Sequence, residues 1–231
     1  MLDVIVAAHD EGDRIGATLT ALAAAFPKAR VWVADDGSRD GTAEIARRAG
    51  ARVVRSECVI GKGGAVTAAA RAALELTLAQ DAEGESVAER VFVLCDGDLA
   101  ESASQLSALA ELVIADEADL AVGVFARRVG GGVGLALGFA RWAIYSRCGL
   151  QTRAPISGQR ALSRRALEHV LPFAVGYGME IGMTIDAVRA GDRVLELELD
   201  LAHRASGRSL SGFLHRARQL LDFIRVYVQR R

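Results

Sequence analysis

The sequence predicts an α/β protein whose central sheet is mostly parallel and is covered by helices on both faces. Strand-like and helix-like runs alternate five times between residues 2 and 125, which is typical of such a sheet. The run VFVLC at residues 91–95 is apolar without polar alternation, as expected for a central strand buried on both faces. Acidic groups follow several strands, at the edge where open α/β sheets bind their ligands.

Composition and charge restrict the class of protein further. The chain has 231 residues, 51% of them hydrophobic, which suffices for one α/β domain with a full core. A net charge of −1 and an isoelectric point near 6.4 argue against binding of nucleic acid through its phosphates. No apolar run reaches about 18 residues, and the N-terminus has no signal-peptide pattern, so we expect no transmembrane segment.

The cysteines indicate a reducing compartment. Cys58, Cys95 and Cys148 are scattered and form neither a disulfide framework nor a CxxC metal pattern. Cys95 lies in the apolar run and is expected to be a buried thiol. The expected location is therefore the cytoplasm.

The first half of the chain is predicted to alternate strands and helices in a regular order. Ile15, Leu19, Leu22 and Phe26 recur at helical spacing, and Gly50 is suited to end the following helix. The predicted strands cover residues 2–8, 31–34, 52–55, 91–95 and 120–125, and the predicted helices cover residues 15–26, 43–49, 65–78 and 102–114.

The second half has a different character, with more glycine and fewer strands. A basic, glycine-rich loop at 127–134 precedes a predicted helix at 135–148, and a turn with polar groups follows at 154–160. A further helix is predicted at 181–190, an edge strand or strand pair at 193–201, and an amphipathic helix from about residue 210 onwards. Without a repeat or a linker, the sequence predicts a single domain over residues 1–231.

The strongest candidate site is Asp96-Gly97-Asp98, which follows the apolar run at 91–95. Side chains at positions i and i+2 of an extended chain point the same way, so the two carboxylates can face one point. Gly97 is expected to let a ligand approach the backbone closely. Hard oxygen ligands in this arrangement suit Mg²⁺ or Mn²⁺. The alternative is a strand that simply ends in an acidic turn.

Three other polar positions are candidates for ligand contacts. Asp36, at the end of the second predicted strand, is suited to accept a hydrogen bond from a nucleotide base. Lys62 lies in a glycine loop before a helix and is suited to contact a phosphate, although the stretch is not a P-loop and a solvated lysine is the alternative. Glu180 stands at a predicted helix start near Tyr177, where it could equally serve only the helix dipole.

These stretches, in this order, resemble the family 2 type of GT-A glycosyltransferases. Residues 5–11 (IVAAHDE) are similar to the motif of the family's first strand, residues 35–42 (DDGSRDGT) to its nucleotide-binding motif, and residues 96–98 to its metal-binding DXD. Residues 130–132, 155–158, 172–182 and 202–204 resemble one branch, the glucosyl-3-phosphoglycerate synthases. The resemblance implies a GT-A fold with a nucleotide-binding half at 1–125, an acceptor and sugar half at 126–205, and a C-terminal helix at 206–231.

The resemblance also implies a set of site residues. The donor, a UDP- or GDP-linked sugar, would be bound by Ala7, Ala8, Glu11, Asp36, Lys62, Asp96, Gly97, Tyr177 and Glu180. Mg²⁺ or Mn²⁺ would be held by Asp96, Asp98 and His203, the catalytic residues would be Asp98, Glu180 and Lys62, and the acceptor would lie near Gly132, Val133 and Gly158. Glu180 would orient the sugar in a retaining enzyme and would be the base in an inverting one.

The acceptor loop departs from the branch. The synthases continue this loop with an arginine and a nearby threonine that hold the acceptor's phosphate and carboxylate, whereas this chain reads Gly132-Val133-Gly134-Leu135. We therefore expect a lipid-linked phosphate or a less charged small molecule as acceptor. The third possibility is that the acceptor is 3-phosphoglycerate itself, and that the protein is a glucosyl-3-phosphoglycerate synthase proper.

Two readings outside the glycosyltransferases stay open. A sugar-phosphate nucleotidyltransferase is also α/β and metal-dependent, but its first strand should be followed by a glycine-rich basic loop, and here the loop contains His9, Asp10 and Glu11. A nucleotide-binding module without turnover is the other reading. The retained acidic residues and His203 argue against it.

The C-terminal helix has an apolar stripe and a basic surround. The stripe contains Leu210, Phe213, Leu214, Leu220, Leu221, Ile224 and Val228, and the surround contains Arg208, His215, Arg216, Arg218, Arg225, Arg230 and Arg231. Such a helix packs on its own domain, on a second subunit of a homodimer, or on an anionic membrane. Packing on protein is the commoner outcome. The protein would be free in the cytoplasm if the helix packs, and peripheral at the inner face of the membrane if the helix contacts lipid.

Overall fold

The computed structural model describes residues 1–82, 90–126, 135–201 and 210–230, with side chains for all of these except 135 and 210–219. Within these residues, seven strands form one sheet in the order β3-β2-β1-β4-β6-β5-β7. The strands are β1 (Leu2–Ala8), β2 (Arg30–Asp35), β3 (Arg52–Arg55), β4 (Val91–Asp96), β5 (Leu120–Phe125), β6 (Arg160–Ser163) and β7 (Val194–Leu199). β1, β2, β3 and β4 are parallel, as are β5 and β7, so the predicted class is confirmed.

Alternate residues of the central strands pack into cores on opposite faces of the sheet. Val4 and Val93 belong to one core, and Ile5 and Leu94 belong to the other. Both cores are covered by helices, which explains why β4 contains no polar alternation. Cys95 is buried in the first core, as predicted.

β6 lies antiparallel between β4 and β5 and was not predicted as a strand. Its four residues are all buried and include Arg160, so neither alternation nor composition marks it as a strand. The reversal matters for the site. Because β6 runs opposite to β4, the residues that precede it, rather than those that follow it, lie at the carboxyl end of β4.

The helices are α1 (Ile15–Ala25), α2 (Thr42–Arg48), α3 (Lys62–Ala82), α4 (Ser107–Ile114), α5 (Leu135–Cys148), α6 (Arg164–Val170), α7 (Met179–Arg189) and α8 (Leu210–Gln229), with 3₁₀ turns at Ala100–Leu106 and Gly176–Gly178. Three predictions are corrected. α3 begins at Lys62 rather than at residue 65, the helix predicted at 102–114 begins as a 3₁₀ turn, and α6 was missed because it is only seven residues long.

α8 packs on the domain, but through a different stripe from the predicted one. Phe223 and Val226 are buried in a third core formed with α5 and α7. Leu221, Ile224 and Val228, which belong to the predicted apolar stripe, are exposed. In the described parts of the chain, no helix combines the length and the hydropathy needed to cross a bilayer.

Candidate active site

The carboxyl ends of β1, β2 and β4 are joined by backbone hydrogen bonds that continue past the strands. The amide of Asp36 donates to the carbonyl of Ala8 at 2.9 Å, and the amide of Gly97 donates to the carbonyl of Ala7 at 2.9 Å. The loops that follow these strands therefore begin side by side. Their polar residues converge at one edge of the sheet, as the sequence predicted.

The loops after β1 and β2 are further linked through side chains. The amide of Asp10 donates to Ser38 Oγ at 3.0 Å, and the amide of Glu11 donates to Thr42 Oγ1 at 2.9 Å. These bonds hold the backbone of Glu11 against the start of α2. The acidic loop after β1 is thus a fixed part of the edge.

Asp36 organises the loop before α3. Its two carboxylate oxygens accept hydrogen bonds from the amides of Ile60 at 2.7 Å and Gly61 at 2.9 Å, and the side chain is buried. Asp36 therefore fixes the approach to Lys62, a role that the sequence did not reveal. Recognition of a base by the same carboxylate stays a prediction.

Lys62 is the centre of the site. As the first residue of α3, it places its ammonium 2.6 Å from Asp96 Oδ1 at the end of β4 and 2.8 Å from Glu180 Oε1 in the first turn of α7. Burial lowers the pKa of Lys62, but the carboxylates of Asp96 and Glu180 outweigh it, so the pKa lies above its usual value. One permanent cation thus joins two carboxylates from distant parts of the sequence.

Gln159 orients Asp96. The amide of Asp96 donates to Gln159 Oε1 at 3.1 Å, and Gln159 Nε2 donates to Asp96 Oδ2 at 2.7 Å. This paired contact leaves Oδ1 to Lys62. The sequence predicts a polar turn at 154–160 but does not single out Gln159. Gln159 reaches Asp96 only because β6 is antiparallel to β4, and the sequence did not predict β6.

Gly158 leaves room for the ion pair between Lys62 and Asp96 because it has no side chain. A Cβ atom added there would lie 2.5 Å from Lys62 Nζ and 2.9 Å from Asp96 Oδ2. A side chain at this position would therefore displace the ammonium or the carboxylate. The predicted site residue Gly158 is thus brought into contact with the donor-side residues.

Gly97 and Asp98 are held by α1 and by Arg14, the residue before it. Thr18 Oγ1 donates to the carbonyl of Gly97 at 2.7 Å, and Arg14 Nη1 donates to the carbonyl of Asp98 at 3.0 Å. Asp98 is itself buried. The space beside Gly97 is taken by the carbonyl of Ala7 and the side chain of Ile15, so the missing side chain serves packing rather than the approach of a ligand.

Arg160 supports Glu180 from within the protein. Its Nε donates to the carbonyl of Ser157 at 2.8 Å and its Nη1 donates to Thr184 Oγ1 at 3.0 Å, one turn after Glu180 on α7. Burial lowers the pKa of Arg160 to about 10, against the opposing effect of Glu180 and Glu196, so the side chain stays charged at neutral pH. Arg160 thereby ties the Gly158 turn to the helix that carries Glu180.

The start of α3 and the segment before α7 are in close contact. A Cβ atom on Gly63 would overlap the carbonyl of Ala174, and one on Gly61, whose φ is +87°, would lie 3.3 Å from Gly176. The amide of Phe173 also donates to Thr67 Oγ1 at 3.1 Å. Glycines thus let the backbones that carry Lys62 and Glu180 approach each other directly.

The chain matches one family over most of its length. Residues 3–171 fit the sequence profile described as glycosyl transferase family 2. The chain belongs to this family. The predicted GT-A fold is confirmed by solved structures that share it.

Similar proteins act on two different acceptors, according to their names. An undecaprenyl-phosphate mannosyltransferase from Micrococcus luteus is 31% identical over 89% of this chain and 85% of its own length. A glucosyl-3-phosphoglycerate synthase from Mycobacterium tuberculosis, solved with phosphoglyceric acid, is 26% identical, with a TM-score of 0.73 over all of this chain and 79% of that one. A structure of the same synthase with Mn²⁺ and UDP-glucose is 26% identical, with a TM-score of 0.70 over 98% and 78% of the two chains.

Most of the residues predicted from the family resemblance meet at this edge. Ala7, Ala8, Glu11, Asp36, Lys62, Asp96, Gly97, Asp98, Gly158 and Glu180 all lie in or beside the loops described above. The amide of Tyr177 donates to Asp222 Oδ2 at 3.1 Å, and its ring packs against the third core. His203, Gly132 and Val133 lie outside the described residues.

The residues present fit a divalent cation through their chemistry. Asp96 and Asp98 supply hard oxygen ligands, and Asp96 already holds a cation in the form of the Lys62 ammonium. Within the described ranges, no three acidic, histidine or cysteine side chains form a cluster suited to a metal ion. A complete ligand set would therefore need a group from elsewhere, such as His203 or the phosphates of a substrate.

Proposed function

We propose that this glycosyltransferase moves a sugar from a nucleoside-diphosphate sugar to a lipid-linked phosphate, with Mg²⁺ or Mn²⁺ as cofactor. The observation that supports the donor half of this proposal is the Lys62 ammonium between Asp96 and Glu180. A cation at a helix start and a pair of carboxylates suit the diphosphate and the sugar of such a donor. Residues 1–125 would then form the nucleotide-binding half and 126–205 the acceptor half of one domain.

The donor would lie along the carboxyl edge of the sheet. Asp36 and Glu11 would bind the base and ribose, Ala7, Ala8 and Tyr177 would line the space, and Gly97 would contribute only its backbone. Lys62 would donate to the diphosphate and stabilise the negative charge that develops on it as the bond to the sugar breaks. Glu180, at the other side of Lys62, would accept hydrogen bonds from the sugar hydroxyls.

Asp96 and Asp98 would hold the divalent cation, with His203 as the third ligand that the family resemblance implies. A bound divalent cation supplies positive charge beside the leaving diphosphate. The solved relative with Mn²⁺ and UDP-glucose supports a divalent cation as cofactor. The sequence favours neither Mg²⁺ nor Mn²⁺.

A phosphate acceptor would simplify the chemistry. Its oxygen forms the new bond to the anomeric carbon while the bond from that carbon to the donor's phosphate oxygen breaks, and the electron pair stays on the diphosphate. A phosphate monoester has its second pKa near 6, so the attacking oxygen is mostly deprotonated at neutral pH. Glu180 then needs only to orient the sugar, whereas a hydroxyl acceptor in an inverting reaction would need it as a base.

The relatives support both acceptors. The mannosyltransferase named for undecaprenyl phosphate favours the lipid phosphate, and the synthase solved with phosphoglyceric acid favours the alternative. The residues Val133 and Leu135, in place of the synthases' polar contacts, favour the lipid phosphate. Glucosyl transfer to 3-phosphoglycerate is therefore the second candidate.

The test combines a donor screen with two acceptors. UDP- and GDP-linked glucose and mannose are supplied with Mg²⁺ or Mn²⁺, and each is paired with undecaprenyl phosphate or 3-phosphoglycerate. We expect nucleoside diphosphate release that depends on the lipid phosphate and stops with EDTA or in Asp98→Ala. Efficient transfer to 3-phosphoglycerate alone would replace the lipid acceptor. In a separate assay with a sugar phosphate and a nucleoside triphosphate, release of pyrophosphate would indicate a nucleotidyltransferase. No turnover in either assay would favour a silent nucleotide-binding module.

A further inference from the structure

α5 and α8 share an outer face with large apolar side chains. Trp142 and Tyr145 on α5 are 51% and 55% exposed, and Leu221, Ile224 and Val228 on α8 are 64%, 40% and 48% exposed. The three α8 residues follow at spacings of three and four, so they lie in one stripe. This stripe is opposite to Phe223 and Val226, which pack inwards.

The two helices form one continuous surface here. The rings of Trp142 and Tyr227 have centroids 4.9 Å apart, and Phe139 lies 5.5 Å from Trp142. Tyr227 stands on α8 between Ile224 and Val228. The apolar stripe of α8 therefore continues into the aromatic residues of α5, and we call the combined surface the α5–α8 face.

Unneutralised arginines surround the α5–α8 face. Arg141, Arg147 and Arg189 donate to backbone carbonyls, namely those of Arg153 at 2.8 Å, Tyr227 at 3.1 Å and Arg147 at 3.1 Å. Arg225 is exposed and, among the described residues, none of these four arginines pairs with a carboxylate.

The acidic residues nearby are turned away from this face. Asp222 on α8 accepts from the amide of Tyr177, and Asp186 on α7 is paired with Arg230. Among the residues that the structure describes, this surface has apolar, aromatic and basic groups, and the nearby carboxylates of Asp186 and Asp222 are bonded elsewhere. Such a surface is complementary to anionic lipid.

We propose that the α5–α8 face docks on an anionic membrane surface. Trp and Tyr are the side chains enriched at the interface between lipid and water, and arginines contact the phosphates of the headgroups. A second copy of the chain fits less well. In a symmetric dimer the same patch meets itself, which would bring the four arginines of each copy together.

The face is also close to the site. The inner side of α8 contacts the Gly176–Gly178 turn through Asp222 and Val226, and Glu180 follows this turn. The membrane surface would then lie about one helix diameter, roughly 10–12 Å, from the segment that carries Glu180. As a way to reach a lipid acceptor the docking rests on the proposed function, but the binding itself does not depend on turnover.

The experiment measures co-sedimentation with vesicles, without donor or acceptor. We expect binding to vesicles of phosphatidylcholine that contain phosphatidylglycerol, little binding to phosphatidylcholine alone, and weaker binding at high salt. Two double variants, Trp142→Ser with Ile224→Ser and Arg141→Gln with Arg225→Gln, should each lower the partition coefficient by about tenfold or more. Ile114→Ser and Arg48→Gln change exposed residues of the same types elsewhere and should bind as the unchanged protein does.

Several outcomes would overturn the proposal. These are absence of binding, equal binding to both kinds of vesicle, unchanged binding of either double variant, and a dimer in solution that the same substitutions dissociate. Circular dichroism and donor hydrolysis show whether the variants are folded, and the salt dependence tests the unchanged protein without any substitution. Vesicle binding that the double variants weaken, without transfer to lipid phosphate, would support the α5–α8 face and contradict the proposed acceptor. Transfer to lipid phosphate without vesicle binding would support the acceptor and contradict the docking of this face.

Discussion

Lys62 occupies the position of a shared counter-ion. Its ammonium satisfies Asp96 and Glu180 together, and Gln159 keeps Asp96 in place for it. A diphosphate and a divalent cation would compete for these same contacts, the first for the ammonium and the second for Asp96. Binding of the donor therefore amounts to an exchange of partners among charges that are already in place.

Lys62→Met should affect turnover and metal binding in opposite directions. Loss of the cation removes transition-state stabilisation of about 3 kcal/mol, so kcat should fall roughly 100-fold. Without the competing ammonium on Asp96, Mn²⁺ should bind the donor-free protein more tightly, which calorimetry measures. The other lysine of the chain, Lys28, provides the control Lys28→Met. An unchanged kcat, or weaker Mn²⁺ binding, would contradict the exchange.

Asp36 holds the loop before α3 through the amides of Ile60 and Gly61. A nucleotide assay alone cannot separate this structural role from recognition of the base. Asp36→Ala should raise the donor KM by about tenfold or more, the cost of a charged hydrogen bond. It should also speed hydrogen exchange at the amides of Ile60 and Gly61, which lose their acceptor. Faster exchange with an unchanged KM would assign Asp36 to the loop alone.

At the level of elements, the sequence predicted those with a clear period and missed those without one. The apolar run of β4 and the helical spacing of α1 predicted both correctly. β6 and α6 are too short to show a period, and the contact of Gln159 with Asp96 exists only because β6 is antiparallel. Likewise, α8 has apolar residues on two faces, so periodicity could not decide which face is buried.

α8 supports the turn before Glu180, and Phe223 on α8 is fully buried. Phe223→Ala should leave a cavity and lower the free energy of unfolding by about 3–5 kcal/mol. Because the turn loses its support, donor turnover should also fall in the protein that remains folded. The neighbouring change Ile224→Ala, on the exposed face, should alter stability by no more than about 0.5 kcal/mol. If urea unfolding showed a cost for Phe223→Ala as small as that for Ile224→Ala, α8 would contribute little to packing.

At the scale of the whole molecule, charged residues are divided between the two ends of the sheet. The carboxyl edge holds the site, and the opposite end holds an ion-pair network around a polar cavity of about 610 Å³. There Asp119 accepts from Arg193 Nε at 2.9 Å, from the amide of Arg193 at 2.8 Å and from Arg165 at 2.9 Å. Since its arginines are paired, we assign this second end to stability rather than to ligand binding.

The network at this end predicts a dependence of stability on pH. Hydrogen bonds from Arg193 hold the pKa of Asp119 at about 2, below the usual 3.8. A lowered pKa stabilises the folded state above pH 3.8, and this contribution is lost as the pH falls towards 2. Asp119→Asn should therefore cost about 1–2 kcal/mol at neutral pH, allowing for solvent screening of the exposed arginines.

The cost should vanish in acid. The control is Asp116→Asn, since Asp116 also contacts Arg193 but is exposed and should contribute little. Thermal unfolding between pH 2 and 7 measures both variants. A cost for Asp119→Asn that did not change over this range would mean that packing, and not charge, is responsible.

The dependence of the Gly176–Gly178 turn on α8 also affects the order in which the site forms during synthesis of the chain. Some 50 residues separate Glu180 from Arg230 along the chain. At roughly 5–20 residues per second, a ribosome needs about 3–10 s to make them. During that interval Lys62, Asp96 and Glu180 have all been synthesised, but the turn that positions Glu180 still lacks the helix that holds it. A nascent chain would thus contain all the strands of its sheet before it could bind a donor productively. It would become able to catalyse the reaction only after α8 had been synthesised.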